Sequence, residues 1–138
     1  FVLAAPADHP LAQAGGLSLA DLDGVAMIGY SAERGGVLHD IQTSAFAAAG
    51  VSPVIAQEVS QTNAVLGLVN SGLGVALVPR SALAVRMENI AFAPIDMPDR
   101  YRSTLYLNSS PARHGALHRR VRDIVIEALD RVPGGGAA

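Results

Sequence analysis

The sequence predicts an α/β fold built on a parallel sheet, and three observations carry that expectation. Short apolar runs alternate with segments of helical periodicity, in the order strand, turn, strand, helix, strand, helix, strand between Phe1 and Pro79. Two of the apolar runs, FVLAA at Phe1–Ala5 and GVALV at Gly74–Val78, each stop at a proline, which ends ladder pairing. Hydrophobic residues make up 50% of the 138 positions, enough to bury a core and too many for a disordered chain.

Phe1–Ala5 reads as a buried strand and Pro6–Gly16 as a loop. In SLADLDG, Ser18 stands where it can accept from a helical turn and Asp21 occupies the capping-box position. Val25–Tyr30, bounded by Gly24 and a polar loop, reads as a central strand. Over Val37–Ala49 the spacing puts Val37, Leu38, Ile41, Ala45 and Ala48 on one helical face, closed by Gly50. Pro53–Val59 is the next strand, with proline suited to its first position. Ser60 or Thr62 is a candidate cap for a helix carrying Val65, Leu66 and Val69 and ended by Gly72. Gly74–Pro79 follows as a buried strand.

Beyond it, Ile90–Ile95 and Tyr101–Asn108 read as strands joined by DMPDR. Ser110-Pro111 has the chemistry of a helix start, and the helix runs to about Arg131. Its apolar face is Leu117, Val121, Ile124, Val125, Ala128 and Leu129. PGGGAA is a flexible tail. The chain opens inside a strand-like run without an initiator Met, so the expectation is a fragment of a longer protein.

Composition excludes several function classes. Net charge is −2, and all ten basic residues are arginines, which argues against a polyanion-binding face. Cysteine is absent, which excludes disulfides and thiolate metal sites. No apolar run approaches the ~20 residues of a membrane span, and FVLAA is too short for a signal-peptide core. No membrane partner is expected.

The motifs FVLAAPADHPLA…LSLADLDGVAMIGY and AGVSPVIAQEVSQTNAVLGLVNSGLGVALVPRSAL resemble the effector-binding domain of LysR-type transcriptional regulators. The DHPLA turn, the SLADLDG turn and GLGVALVP stand in that family's order and spacing, and the likeness extends to about Arg131. The resemblance implies a type 2 periplasmic-binding-protein-like fold: one complete Rossmann-like lobe plus the returning part of a second, joined by two crossing hinge strands. On that reading residues 1–6 are the first hinge strand and 7–73 the complete lobe. Residues 74–79 are then the second hinge strand, 80–131 the returning part of the other lobe and 132–138 the tail. Pro6, His9, Pro10, Gly74 and Pro79 would be hinge positions. With half of one lobe missing, Ile90–Ile95 and the last helix are expected to expose apolar surface or to pair with another chain.

In an open α/β lobe, ligands bind beyond the carboxyl ends of the strands, near helix N-termini. Two loops qualify. In GYSAERGG, after the strand ending at Tyr30, Ser31 offers a hydroxyl and Arg34 a charge for a carboxylate. The amides around Gly35 and Gly36 would face an anion at a helix N-terminus. In VSQTN, Ser60, Gln61, Thr62 and Asn63 open the next helix. The candidate effector-binding residues are therefore Tyr30, Ser31, Arg34, Gly35, Gly36, Thr62 and Asn63. The plain alternative is that Ser31–Gly36 is only a connecting loop, that Ser60 and Thr62 are only caps, and that Glu33 neutralises Arg34.

An enzyme finds no constellation. His114 and His118 have metal-compatible spacing on a helix, but no acidic residue completes the motif and arginines surround the pair. His9 and His39 are isolated, no serine has a nucleophile-elbow context, and no Gly-rich stretch matches a nucleotide fingerprint. The RRVRD segment is balanced by Asp123, Glu127 and Asp130 and reads as a solvated helix face.

The expected function is a cytoplasmic ligand-sensing and self-associating module of a bacterial regulator, dimeric or tetrameric, without cofactor or metal. Its effector is a small molecule, with organic acids among the candidates. Operator DNA would be bound only through an N-terminal domain that this sequence does not contain. The alternative is a solute-binding protein of a transporter with the same fold.

Overall fold

A computed structural model describes residues 1–102 and 115–130. The chain divides into two compact units, Phe1–Ser103 and Thr104–Ala138. In the first, the elements run β1 (Val2–Pro6), α1 (Pro10–Gln13), β2 (Leu17–Ser18), β3 (Ala26–Tyr30), α2 (Gly36–Ala49), β4 (Val54–Val59), α3 (Thr62–Asn70), β5 (Ala76–Val78) and β6 (Ile90–Asp96). Short 3-10 turns occupy Leu19–Leu22, Arg80–Ala84 and Asp99–Tyr101. The described part of the second unit is one helix, α4 (Ala116–Asp130).

The strands form a sheet in the order β2-β6-β1-β5 and a parallel pair β3-β4. A single parallel bridge, Met27 to Val75, links β3 to β5 and makes the six strands nearly continuous. β1 runs antiparallel to both neighbours, while the β2–β6 and β3–β4 pairs are parallel. The sheet is therefore mixed, where the strand–helix alternation predicted parallel pairing throughout. The alternation was sound for β3, β4 and β5, whose connections are helical. It carried no information about β1, whose neighbours come from the far end of the unit.

Side-chain alternation divides the core between the two faces of the sheet. Leu3 and Ala5 of β1, Met27 of β3 and Val75 and Leu77 beside them pack with Leu19, Leu22, Ala45 and Phe46. Val2, Ala4, Ile28, Tyr30, Ala76 and Val78 face the other way, onto Val65, Leu66 and Val69 of α3. A strand buried on both faces reads as an unbroken apolar run, which is why FVLAA and VALV were legible.

Helix α2 differs in its buried face. The expected stripe began at Val37 and included Ala48, yet Val37 is 66% exposed and Ala48 is exposed too. The residues buried are Gln42, Ala45 and Phe46. The helix ends at Gly50 in the left-handed conformation, as expected.

The expected division of the chain also meets a different geometry. Ile90–Asp96, assigned to the other lobe, pairs along the whole of β1 from Val2–Pro94 to Pro6–Ile90. It lies between β1 and β2, although β2 pairs with it only at Ile95 and Asp96. The two strands read as hinge crossings lie side by side in one sheet, with Val2, Leu3 and Ala4 opposite Val78, Leu77 and Ala76.

The prolines and glycine read as hinges serve turns or close contacts inside this unit. The Pro6 carbonyl accepts from the His9 amide at 2.9 Å, and the Pro79 carbonyl from the Ala82 amide at 2.9 Å. His9 is the N-cap of α1, accepting from the Leu11 amide on Nδ1 at 3.2 Å, with Pro10 in the first turn. At Gly74 a Cβ would stand 2.6 Å from the Ala26 carbonyl oxygen, so glycine there lets β5 approach β3. A proline stops a ladder without saying where the chain goes next, and here both strands turn back within the same unit.

The strand expected over Tyr101–Asn108 begins instead in the 3-10 turn at Asp99–Tyr101, and its remainder lies outside the described residues. So do the start of the last helix near Ser110, His114 and the tail. On α4, Leu117, Val121 and Ile124 are exposed.

Candidate functional site

The carboxyl ends of β3 and β4 and the starts of α2 and α3 converge on one cleft. Its lining is Ser31, Arg34, Glu58, Val59, Ser60, Gln61 and Ala64, and its volume is ≈ 340 Å³, within the range of small-molecule sites. Parallel pairing of β3 with β4 brings the two loops together: Tyr30 sits opposite Val59, and the Ser31 amide donates to the Val59 carbonyl at 3.1 Å. The two loops singled out from sequence thus face a common space.

Both helices begin without a side-chain cap. The N-cap of α2 is Gly35 and that of α3 is Gln61, and neither position carries a capping side-chain hydrogen bond. The expectation that Ser60 or Thr62 caps α3 is not met. The Thr62 hydroxyl is instead paired with the Tyr30 hydroxyl at 2.9 Å, and Ser60 lines the cleft. In the first turn of α2 the Leu38 amide donates to the Gly35 carbonyl at 3.2 Å; first-turn amides left without a backbone acceptor, at the positive end of a helix dipole, favour an anion.

The α2 loop is tightly specified. The Gly35 amide donates to the Ser31 carbonyl at 2.6 Å. A Cβ on Gly35 would meet that same carbonyl oxygen and would lie 2.8 Å from the Tyr30 Cβ, so only glycine fits. Gly36 then enters the helix at a φ of 48°.

Of the sequence candidates, Ser31 and Arg34 line the cleft, and Gly35 and Gly36 shape its entry helix. Asn63 is exposed in the first turn of α3 but is not among the lining residues. Tyr30 is 1% exposed, and its side chain joins the core with Val65 and Leu66. Its part is structural: the ring fills space under α3 and its hydroxyl is spent on Thr62. Burial raises the phenol above its ordinary value, partly offset by that hydrogen bond, so it stays neutral.

Glu58, Val59 and Ala64 were missed, although β4 ends at Val59 and Ala64 lies one turn into α3. His39 and Gln42 were missed as well. His39 Nδ1 contacts the Tyr30 carbonyl at 2.7 Å, which makes that nitrogen the donor. The Gln42 amide accepts from the Tyr30 amide at 3.4 Å and donates to the Leu77 carbonyl at 2.9 Å. A polar residue inside the Leu38–Ala45 stripe was the available signal.

With the geometry in hand, comparison with known proteins is decisive. Residues 1–130 match the family model of the LysR substrate binding domain. The chain belongs to that family. The HTH-type transcriptional regulator YnfL of Escherichia coli is 33% identical over 94 residues, covering 68% of this chain and 32% of YnfL. The chain thus spans about a third of the length of the regulators it matches.

Among solved structures, the BenM effector binding domain with its effector benzoate superposes with a TM-score of 0.64 at 30% identity, over 71% of this chain and 45% of that one. The effector binding domain of QuiR in complex with shikimate gives 0.62 at 29%, over 71% and 46%. The fold is that of LysR effector-binding domains, type 2 periplasmic-binding-protein-like. The relatives are transcriptional regulators, which favours the regulator reading over a transport protein or an enzyme. Among the described residues no helix is long and apolar enough to cross a membrane.

Proposed function

We propose that this LysR substrate-binding domain senses a small organic acid in the cleft between the starts of α2 and α3. The observation that carries the reading is one cleft lined by Ser31 and Arg34 from the loop before α2 and by Gln61 and Ala64 at the start of α3, neither helix having a side-chain cap. A carboxylate there would accept from first-turn amides, with the Ser31 hydroxyl and the Arg34 guanidinium as further donors. Glu58 lines the same cleft and supplies an acceptor, which suits a hydroxylated acid over a bare one. The BenM and QuiR domains are solved with benzoate and with shikimate, both carboxylic acids, and the latter hydroxylated.

In this reading Phe1–Ser103 is one lobe of the sensor. The effector favours one arrangement of the lobes, and that choice alters how subunits present their DNA-binding domains. Operator contact would belong to a separate domain of the regulator. Self-association would use apolar surface such as Val54 and Ile55 on β4, which is hydrogen-bonded only to β3 among the described strands.

The test is a thermal-shift series of the intact chain against benzoate, shikimate and their methyl esters. A concentration-dependent rise in the unfolding midpoint with an acid but not its ester supports the reading. Arg34→Ala should weaken the acid's Kd roughly tenfold, the worth of one charge-assisted hydrogen bond. Equal shifts from acid and ester would remove the carboxylate from the site.

A further inference from the structure

Gln42 is the buried polar residue on α2, only 4% exposed, and both ends of its amide are committed to backbone of two different strands. Its position follows from the hydrogen-bond pattern of the β3–β5 seam. The Val75 amide donates to the Ala26 carbonyl at 3.0 Å, and the Ile28 amide donates to the Val75 carbonyl at 2.8 Å. In a parallel ladder the contacts that follow along this seam join the Leu77 amide to the Ile28 carbonyl and then the Tyr30 amide to the Leu77 carbonyl. The second is replaced. The Tyr30 amide donates to Gln42 Oε1, and Gln42 Nε2 donates to the Leu77 carbonyl.

The side-chain amide thus stands in for a peptide group, satisfying both strands while holding them apart. The bridge acts one residue before Ser31, which lines the cleft. His39, one turn earlier on α2, takes the Tyr30 carbonyl, so both backbone groups of Tyr30 are bound by side chains of the same helix.

We infer that Gln42 is a positioning residue for the effector cleft: its amide spreads the carboxyl ends of β3 and β5 and thereby sets the path of the Ser31–Gly36 loop. The inference rests on the cleft being the effector site, but the loop's path is measurable without any ligand. Removing the amide leaves a buried donor and acceptor that either go unpaired or pair directly, and either change moves Ser31 and Gly35.

The decisive variant is Gln42→Glu. A protonated carboxyl has the same length and offers one acceptor and one donor, so it restores both bonds. Once ionised it has no donor and opposes the Leu77 carbonyl. Burial raises the introduced carboxyl's pKa, so the wild-type arrangement should be present at low pH and lost as pH rises through that raised value. His39, Tyr30 and Glu58 line the same groove, and the wild-type chain controls for their titration.

Amide hydrogen exchange and 15N shifts of the intact ligand-free chain read the result. In Gln42→Glu the Tyr30 and Ser31 amides should exchange roughly tenfold faster above the titration and return to wild-type rates below it. Amides of β1 should not change across the same step. Wild-type shifts at Ser31 and Gly35 at every pH would overturn the inference. So would loop shifts that differ from wild type equally above and below the titration. Gln42→Met, which keeps volume without either bond, should show the altered loop at all pH values. A wild-type loop in that variant would also overturn it. Failure of benzoate and shikimate to bind would sink the effector reading and leave these loop measurements standing.

Discussion

Where the parallel strands begin, side chains tie the turns; where they end, at the cleft, two helices start without a cap. At the first end Asp23 accepts from the Ser52 amide at 2.9 Å. Asn70 and Asn89 exchange two side-chain to backbone bonds, each 3.1 Å, joining the end of α3 to the start of β6. Gly50 and Gly72 close their helices with positive φ. At the other end the N-caps of α2 and α3 contribute no side-chain bond. One end is tied by side-chain bonds, and on the proposed reading the other keeps first-turn donors for a guest. The difference teaches that an unmet cap beside a cleft is a stronger functional sign than the polar residues around it.

The scale of the shared core comes first. Leu3, fully buried in β1, underlies both ends, and Leu3→Ala should cost about 2–5 kcal/mol by urea denaturation. Matched glycine substitutions then separate the ends. Gly74→Ala presses on the Ala26 carbonyl, and Gly35→Ala on the Ser31 carbonyl, so each should cost roughly 1–3 kcal/mol. Only Gly35→Ala should abolish carboxylate binding, measured by calorimetry. Loss of binding in both variants would break the distinction.

A smaller effect is expected at the tied end. Asn70→Ala removes the bond that its side-chain oxygen accepts from the Asn89 amide, keeps the one to its backbone carbonyl, and should lower stability by about 1 kcal/mol while leaving carboxylate affinity unchanged. The smallest effect belongs to Asp21, whose carboxylate accepts from the Ser18 amide at 2.7 Å and the Ser18 hydroxyl at 2.9 Å. Those bonds hold its pKa below the usual carboxylate range. A group depressed in the folded state contributes stability above its unfolded pKa and loses it as pH falls through the folded one. Asp21→Asn should therefore lower stability slightly at neutral pH, flatten the acid limb of the stability profile, and leave stability at low pH nearly as it was.

Elements were more legible in the sequence than their neighbours. Strands β1, β3 and β5 and helices α2 and α3 announced themselves by apolar run and period, because those patterns are local. The pairing of β6 with β1 joins Ile90 to Pro6 across the whole unit, and no local pattern encodes it. Pro6 and Pro79 mark strand ends locally, but where the chain goes after each is a non-local fact. At the site, Ser31 and Arg34 were found by position after a strand. Tyr30, singled out by the same position, is buried: it shares the even-numbered face of β3 with Ile28, which packs against α3. Gln42 stands inside the Leu38–Ala45 stripe, and no local pattern encodes which backbone groups its amide reaches.

The central claim is that the uncapped starts of α2 and α3 hold a carboxylate. Amide shift mapping of the 15N-labelled chain during titration with benzoate and with shikimate tests it most directly. The account predicts saturable shifts concentrated at Ser31, Gly35 to Val37 and Thr62 to Ala64, with Ser52, Asn70 and Asn89 nearly still. Saturable shifts centred elsewhere, or none at these amides with either acid, would contradict it.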